Sequence, residues 1–96
     1  MSGNIRLTGS LICTSEAECD MVRAYLPEHI RLTRQEPGCL SFAVTQSDDP
    51  LIWRIEELFV DRAAFDAHQA RTLASEWAHK TASIRRDYTI IAEDRS

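Results

Sequence analysis

Cysteine is scarce in this chain of 96 residues, and what there is forms no framework. Cys13, Cys19 and Cys39 are odd in number, and none belongs to a C-x-x-C pair. A disulfide scaffold or a zinc site is therefore not expected; small buried hydrophobes in a reducing compartment are. An apolar run of about 18 residues, long enough for a bilayer span, is absent. Met1-Ser-Gly-Asn4 lacks a signal-peptide layout, so a cytoplasmic protein is expected. Lysine is nearly missing: Lys80 stands alone beside ten scattered arginines, and the net charge is −4. Without a basic run, neither nucleic acid nor an anionic membrane is the expected partner. No repeat, linker or low-complexity stretch divides the chain. Residues 1–96 read as one domain with a core from 5 to 91, and 44% hydrophobic with 27% charged content is ordinary for a globular protein.

What is present is organised around residues 51–68, Leu51-Ile-Trp-Arg-Ile-Glu-Glu-Leu-Phe-Val-Asp61-Arg-Ala-Ala-Phe-Asp-Ala-His68. The pattern is a strand running directly into a helix. On the strand, Trp53, Ile55, Glu57 and Phe59 share one face. A carboxylate among three large apolar side chains must be paired, hydrogen-bonded or neutralised if that face is covered. Asp61 supplies an N-cap oxygen, with Val60 and Phe65 at the positions of a hydrophobic staple. Ala64, Phe65 and His68 fall on adjoining parts of one helix face. Glu57 and His68 are thus expected in one space between sheet and helix.

The rest of the chain supplies walls for that space. Residues 5–13 alternate as a strand, with Ile5, Leu7, Leu11 and Cys13 on one face. Gly9 among them marks a bulge or a close approach to backbone or ligand. Ser15-Glu-Ala-Glu18 is a capping box opening a helix over 16–35. Met21, Val22, Leu26 and Ile30 face inward on it, with Tyr25 and His29 beside them. Pro27 should kink or split this helix, and Glu36-Pro-Gly38 ends it, Gly38 being suited to a left-handed turn. Leu40, Phe42 and Val44 alternate with Ser41, Ala43 and Thr45 as a second strand. Ser47-Asp-Asp-Pro50 turns it into a hairpin with the strand at 51–60. A break is predicted at Arg71-Thr72, then a helix capped by Thr72, carrying Leu73, Trp77 and Ile84 and ending near 83. Residues 87–92 are the last strand, and Glu93-Asp-Arg-Ser96 is a polar tail.

The order β-α-β-β-α-β predicts the α+β, ferredoxin-like class: a four-stranded antiparallel sheet with helices on one face. The other face, with Leu58, Val60 and Ile12, needs cover. A homodimer formed by packing sheet against sheet is therefore predicted, at about 25 cal/mol per Å² of apolar surface buried.

Three segments carry a family likeness: His29-Ile-Arg-Leu-Thr-Arg-Gln-Glu-Pro-Gly-Cys-Leu40, Glu57-Leu-Phe-Val-Asp61 and Ala64-Phe-Asp-Ala-His68. The chain, from 5 to 91, resembles the antibiotic biosynthesis monooxygenase domain family, small dimeric α+β barrel proteins that include cofactor-independent quinol monooxygenases. The resemblance implies oxidation of a phenolic or quinol-like small aromatic substrate by O₂, with no metal or other cofactor. The family also holds haem-degrading enzymes, which combine an asparagine on the first strand, a tryptophan after the central glutamate and a histidine on the next helix. Here Phe59 occupies the tryptophan position and Asn4 is read as preceding the first strand. Only His68 remains, so haem breakdown is disfavoured.

In such chemistry the substrate is its own reductant, and the protein must exclude water, hold a ring and accept a proton. His68 with Glu57 is the candidate catalytic pair, and His29 is a second proton acceptor or substrate contact. Trp53, Phe59, Trp77 and Tyr25 are candidate ring-holding walls. Each has an ordinary structural reading too. Glu57 suits a bond to helix backbone or to Arg54 or Arg71, and His68 and His29 suit packed helix positions. His79 suits the surface, the tryptophans suit the core, and the turn at 36–38 suits a purely structural part. The alternative function is a non-catalytic, dimeric small-molecule binding or regulatory domain of the same fold.

Overall fold

The computed structural model describes residues 3–93. Its elements are β1 (Asn4–Ile12), α1 (Glu16–Arg34), β2 (Cys39–Gln46), β3 (Ile52–Phe59), α2 (Arg62–Leu73), α3 (Glu76–Lys80) and β4 (Arg85–Glu93). The strands form one antiparallel sheet in the order β2-β3-β1-β4. This is the expected ferredoxin-like α+β arrangement, with a short helix added before the last strand.

Period-two alternation in β1 and β3 sets the layers. Ile5, Leu7 and Leu11, with Trp53, Ile55 and Phe59, form one core with Cys19, Val22 and Leu26 of α1, Phe65 of α2 and Trp77 of α3. The opposite face is largely polar: Arg6, Thr8 and Ser10 are in register with Leu58, Glu56 and Arg54 on one side and Ile91, Thr89 and Asp87 on the other. Asp61 starts α2 as read, its Oδ1 accepting from the Ala64 N–H at 2.8 Å. Ser15 accepts from the Glu18 N–H, while the Glu18 carboxylate reaches back to the Thr14 N–H at 2.7 Å.

Several expectations are corrected. α1 is not split at Pro27; Pro27 and Arg23, whose carbonyl loses its partner, are both exposed, so the gap in the ladder faces solvent. The buried stripe of α1 is Cys19, Val22, Leu26, His29 and Thr33. Met21 lies off it and is 40% exposed. Gly38 has no positive φ; a Cβ there would collide with the Ala64 Cβ, so the glycine admits helix α2 rather than a left-handed turn. A bulge between Cys39 and Ser41 takes Leu40 out of the alternation and leaves it 53% exposed.

Helix α2 does not break at 71–72 but continues to Leu73, and the Thr72 hydroxyl faces His68 and caps no new helix. Ser75 caps α3 instead, accepting from the Ala78 N–H at 3.2 Å, and α3 ends at Lys80. Leu73 is therefore exposed, whereas Trp77 and Ile84 are buried. Val60 lies beyond β3 in a bend, its N–H donating to the Gly38 carbonyl at 2.9 Å, so it is not part of the outer sheet face. Glu93 belongs to β4, where it pairs with Arg6 at 3.0 Å. The remainder of the expected tail, 94–96, lies outside the described residues.

Candidate active site

Glu57 rises from β3 between Leu7 of β1 and Phe42 of β2, its partners in register. It is 5% exposed, and its Oε1 has no hydrogen-bond partner. Burial, helped by the charge of Glu36, raises this carboxyl from 4.5 to about 7. Helix α2 suspends His68 above it, with Nε2 at 3.6 Å from Glu57 Oε1. The expected meeting of the two groups is found, slightly beyond hydrogen-bond reach.

The other imidazole nitrogen has a partner that sequence reasoning missed. His68 Nδ1 stands 2.8 Å from Glu36 Oε1, in the turn read as purely structural. Arg71 Nε donates to Glu36 Oε2 at 2.7 Å, and its Nη2 donates to Thr33 Oγ1 at 2.9 Å. Arg71 thus serves Glu36, not Glu57. With Nδ1–H donating to Glu36, Nε2 is the accepting nitrogen, and the Thr72 hydroxyl faces it at 3.4 Å. Burial lowers the His68 pKa, with Arg71 adding to that and Glu36 opposing it.

His29 belongs to the buried stripe of α1. Its ring stacks on Trp77 at 5.1 Å with planes within 7°, meets Phe42 edge-on at 5.4 Å and lies 5.8 Å from His68. Its Nδ1 has no hydrogen-bond partner. Burial, then the charges of His68, Arg71 and Arg86, push its pKa down to about 3. It is a neutral ring at ordinary pH and a weak proton acceptor.

These groups surround a cavity of about 420 Å³. Glu57 and Ile55 line it from the sheet, His68 and Thr72 from α2, and His29 and Trp77 from α1 and α3. Its exposed lining residues, Leu73 and Ala82, mark the mouth. Strand β4 contributes Arg86 and Tyr88. The Arg86 guanidinium donates to the Thr81 carbonyl and hydroxyl, each at 2.7 Å, and to the Ile84 carbonyl at 3.0 Å. Burial raises the Tyr88 phenol to about 12. Tyr88 is in register with Gly9, where a Cβ would stand 2.8 Å from Tyr88 Cα and Cδ1. The approach that Gly9 permits is therefore to the neighbouring strand.

Of the side chains singled out from sequence, Glu57, His68, His29 and Trp77 come together around the cavity. Trp53, Phe59 and Tyr25 do not. Trp53 lies towards the other end of β3, in the core beside Arg23. Phe59 packs behind His68 at 4.8 Å and is covered by Phe65. Tyr25 lines a different cavity, with Lys80 Nζ 5.9 Å from its ring. Asn4 is on the first strand after all, as its first residue. It shares the face of Arg6 and Thr8, opposite Ile5 and Leu7, and so points away from His68. Among the described residues no group of three or more His, Cys, Asp or Glu side chains is placed to hold a metal ion. None of the described helices is long and apolar enough to cross a membrane.

A four-stranded antiparallel sheet of this order, with helices on one face and a buried carboxylate–imidazole pair beside a cavity between the layers, defines a ferredoxin-like α+β domain. The pattern of the antibiotic biosynthesis monooxygenase family matches residues 14–80, and the chain belongs to that family. A conserved protein of unknown function from Bacteroides thetaiotaomicron superposes with a TM-score of 0.82 at 14% identity, covering 97% of this chain and 100% of that one. Rv0793 from Mycobacterium tuberculosis gives 0.75 at 21% identity, covering 98% of each chain. SnoaB, a cofactor-independent oxygenase from Streptomyces nogalater seen in a mutant form, gives 0.78 at 9% identity, covering 99% and 97%. At such identities the likeness is one of fold. No curated protein matches the sequence.

Proposed function

We propose that this protein oxidises a phenolic or quinol-like aromatic compound with O₂, the substrate itself supplying the electrons. The observation that carries this reading is Glu57 Oε1, buried without a hydrogen bond 3.6 Å from His68 Nε2, in the lining of a cavity of about 420 Å³. A carboxyl titrating at about 7 beside a neutral imidazole is a proton-accepting pair matched to neutral pH. Groups this close titrate as a unit. The pair takes the phenolic proton, and Glu36 at Nδ1 favours the imidazolium that forms. The phenolate passes one electron to O₂, the radical pair joins at a ring carbon bearing hydrogen, and the hydroperoxide loses water. In sum, phenol and O₂ give quinone and water, one oxygen atom going to each product.

His29, Phe42, Trp77 and Tyr88 hold the ring and exclude water, and the fixed Arg86 charge favours the anion. The cofactor-free course is supported by the fold likeness to SnoaB. The working form in this proposal is a homodimer joined through the outer sheet face, where Leu58, Ile12 and Ile91 interrupt polar neighbours. The test is metal-free oxygen uptake with a panel of hydroquinones and naphthols for wild type and His68→Ala. Equal rates in both remove His68 from the mechanism. Ligand-induced stabilisation without oxygen uptake favours a non-catalytic binding domain instead. A Soret shift that depends on His68 in a haem titration would restore the haem reading.

A further inference from the structure

A second cavity of about 400 Å³ lies between α1 and the junction of α2 with α3. His29 and Trp77 line both this space and the one holding Glu57 and His68. Stacked 5.1 Å apart with planes within 7°, their rings form a slab that divides the two spaces. Ring contacts with Trp77, Phe42 and His68 surround His29 there, and its Nδ1 is unpartnered although the residue is 4% exposed. Leaving such an atom unpaired is destabilising, a cost that an apolar side chain would avoid. The other half of the slab rides on α3, a helix of five residues.

We propose that the His29–Trp77 stack is the specificity wall of the site, limiting the length of the aromatic system that reaches Glu57 and His68. This rests on the proposed aromatic substrate and adds what sets its size. One compartment is near the lower end of small-molecule sites, which run from about 300 to 1,000 Å³. Joined, the two spaces offer roughly twice the volume of either, enough for a larger ring system. The second cavity is suited to rings, with Tyr25, Leu32 and Trp77 in its lining. Of the charged residues in its lining, Glu28 is engaged by Arg31 and Arg71 by Glu36, while Glu76 is exposed to solvent.

The experiment is anaerobic binding, read by tryptophan fluorescence, of phenols with increasing numbers of linearly fused rings: hydroquinone, naphthol, anthrol and hydroxytetracene. Wild type is expected to bind the first two and to discriminate against the last two by about tenfold or more. His29→Ala should abolish that discrimination, and His29→Phe, which restores a ring to the slab, should keep it. If His29→Ala does not fold, His29→Val replaces it, since its branched side chain fills space but cannot complete the slab. Equal affinity of wild type for short and long ring systems overturns the wall, as does an unchanged ranking in a folded Ala or Val variant. Failure of wild type to bind any of these phenols overturns both the wall and the site. Size-ranked binding without oxygen uptake sinks the oxidation and leaves the wall. Equally fast uptake on short and long ring systems does the reverse.

Discussion

Glu36 Oε1 stands 2.8 Å from His68 Nδ1, tying the turn after α1 to the middle of α2. Because Arg71 holds the other carboxylate oxygen at 2.7 Å, the imidazole is fixed in orientation and tautomer before a substrate arrives. Glu36→Gln keeps the shape of this contact but removes the charge that favours a protonated ring. Oxygen uptake with the best phenol should fall by about a hundredfold in kcat, within the range of a general base, with KM little changed. A loss confined to KM would mean that Glu36 shapes the cavity and does not position the base.

The two buried groups beside His68 give stability opposite pH dependences. Glu57 is raised from 4.5 to about 7, so the folded state keeps a proton that the unfolded chain releases. Its contribution is complete below pH 4.5 and is lost as pH rises to 7, at most about 3 kcal/mol. Glu57→Gln should therefore gain on wild type across that window and hold its advantage above it in denaturant titrations. His29, lowered from 6.5 to about 3, contributes fully above pH 6.5 and loses ground as pH falls towards 3. His29→Phe should flatten that acid limb. An unaltered pH slope in either variant contradicts the corresponding shift.

Activity should rise with pH, because the accepting pair must be unprotonated. The kcat/KM profile of wild type is expected to turn near pH 7, where Glu57 titrates. In Glu57→Gln the limb should move below pH 6.5, reporting the lowered His68 alone. A limb that stays in place excludes Glu57 from the titrating unit.

Gly9→Ala should open the contact between β1 and β4, since the new methyl meets the Asp87 carbonyl and the Tyr88 backbone. Thermal unfolding should show a loss of about 1–3 kcal/mol, the usual cost of overpacking. The displaced Tyr88 ring should weaken phenol binding as well. Wild-type stability in this variant would show that the strands adjust without strain.

Leu58→Arg places a charge at the centre of the outer sheet face, in register with Arg6 and Ser41. If copies join through that face, sedimentation velocity at micromolar concentration should shift from dimer to monomer, with unchanged helical circular dichroism. Wild type that sediments as a monomer disposes of the dimer.

The succession of strands and helices along the chain and the Glu57–His68 meeting were legible because both depend on local periodicity. Alternation aims Glu57 at the helices, and the Asp61 cap fixes where His68 falls on α2. Glu36 was not legible: its partner lies 32 residues away, and nothing in a Glu-Pro-Gly turn signals a distant imidazole. Arg86 and Tyr88 escaped because their places in the lining follow from the pairing of β4 with β1, which no nearby residue encodes. Gly9 gave a partial signal, marking the close approach without naming Tyr88. Trp53 and Phe59 were misjudged for a different reason: sharing a strand face with Glu57 does not mean sharing its cavity, because α2 and α1 cover the two ends of that face.

The first strand of the chain is an inner one, and the last strand closes against it at the sheet's margin. Their union joins residues as far apart as Asn4 and Glu93, a closure across the whole of the domain's other elements. The same step brings Arg86 and Tyr88 to the chamber. Completion of the sheet and sealing of the cavity are thus one event, and until β4 has been made and paired the compartment lacks a wall.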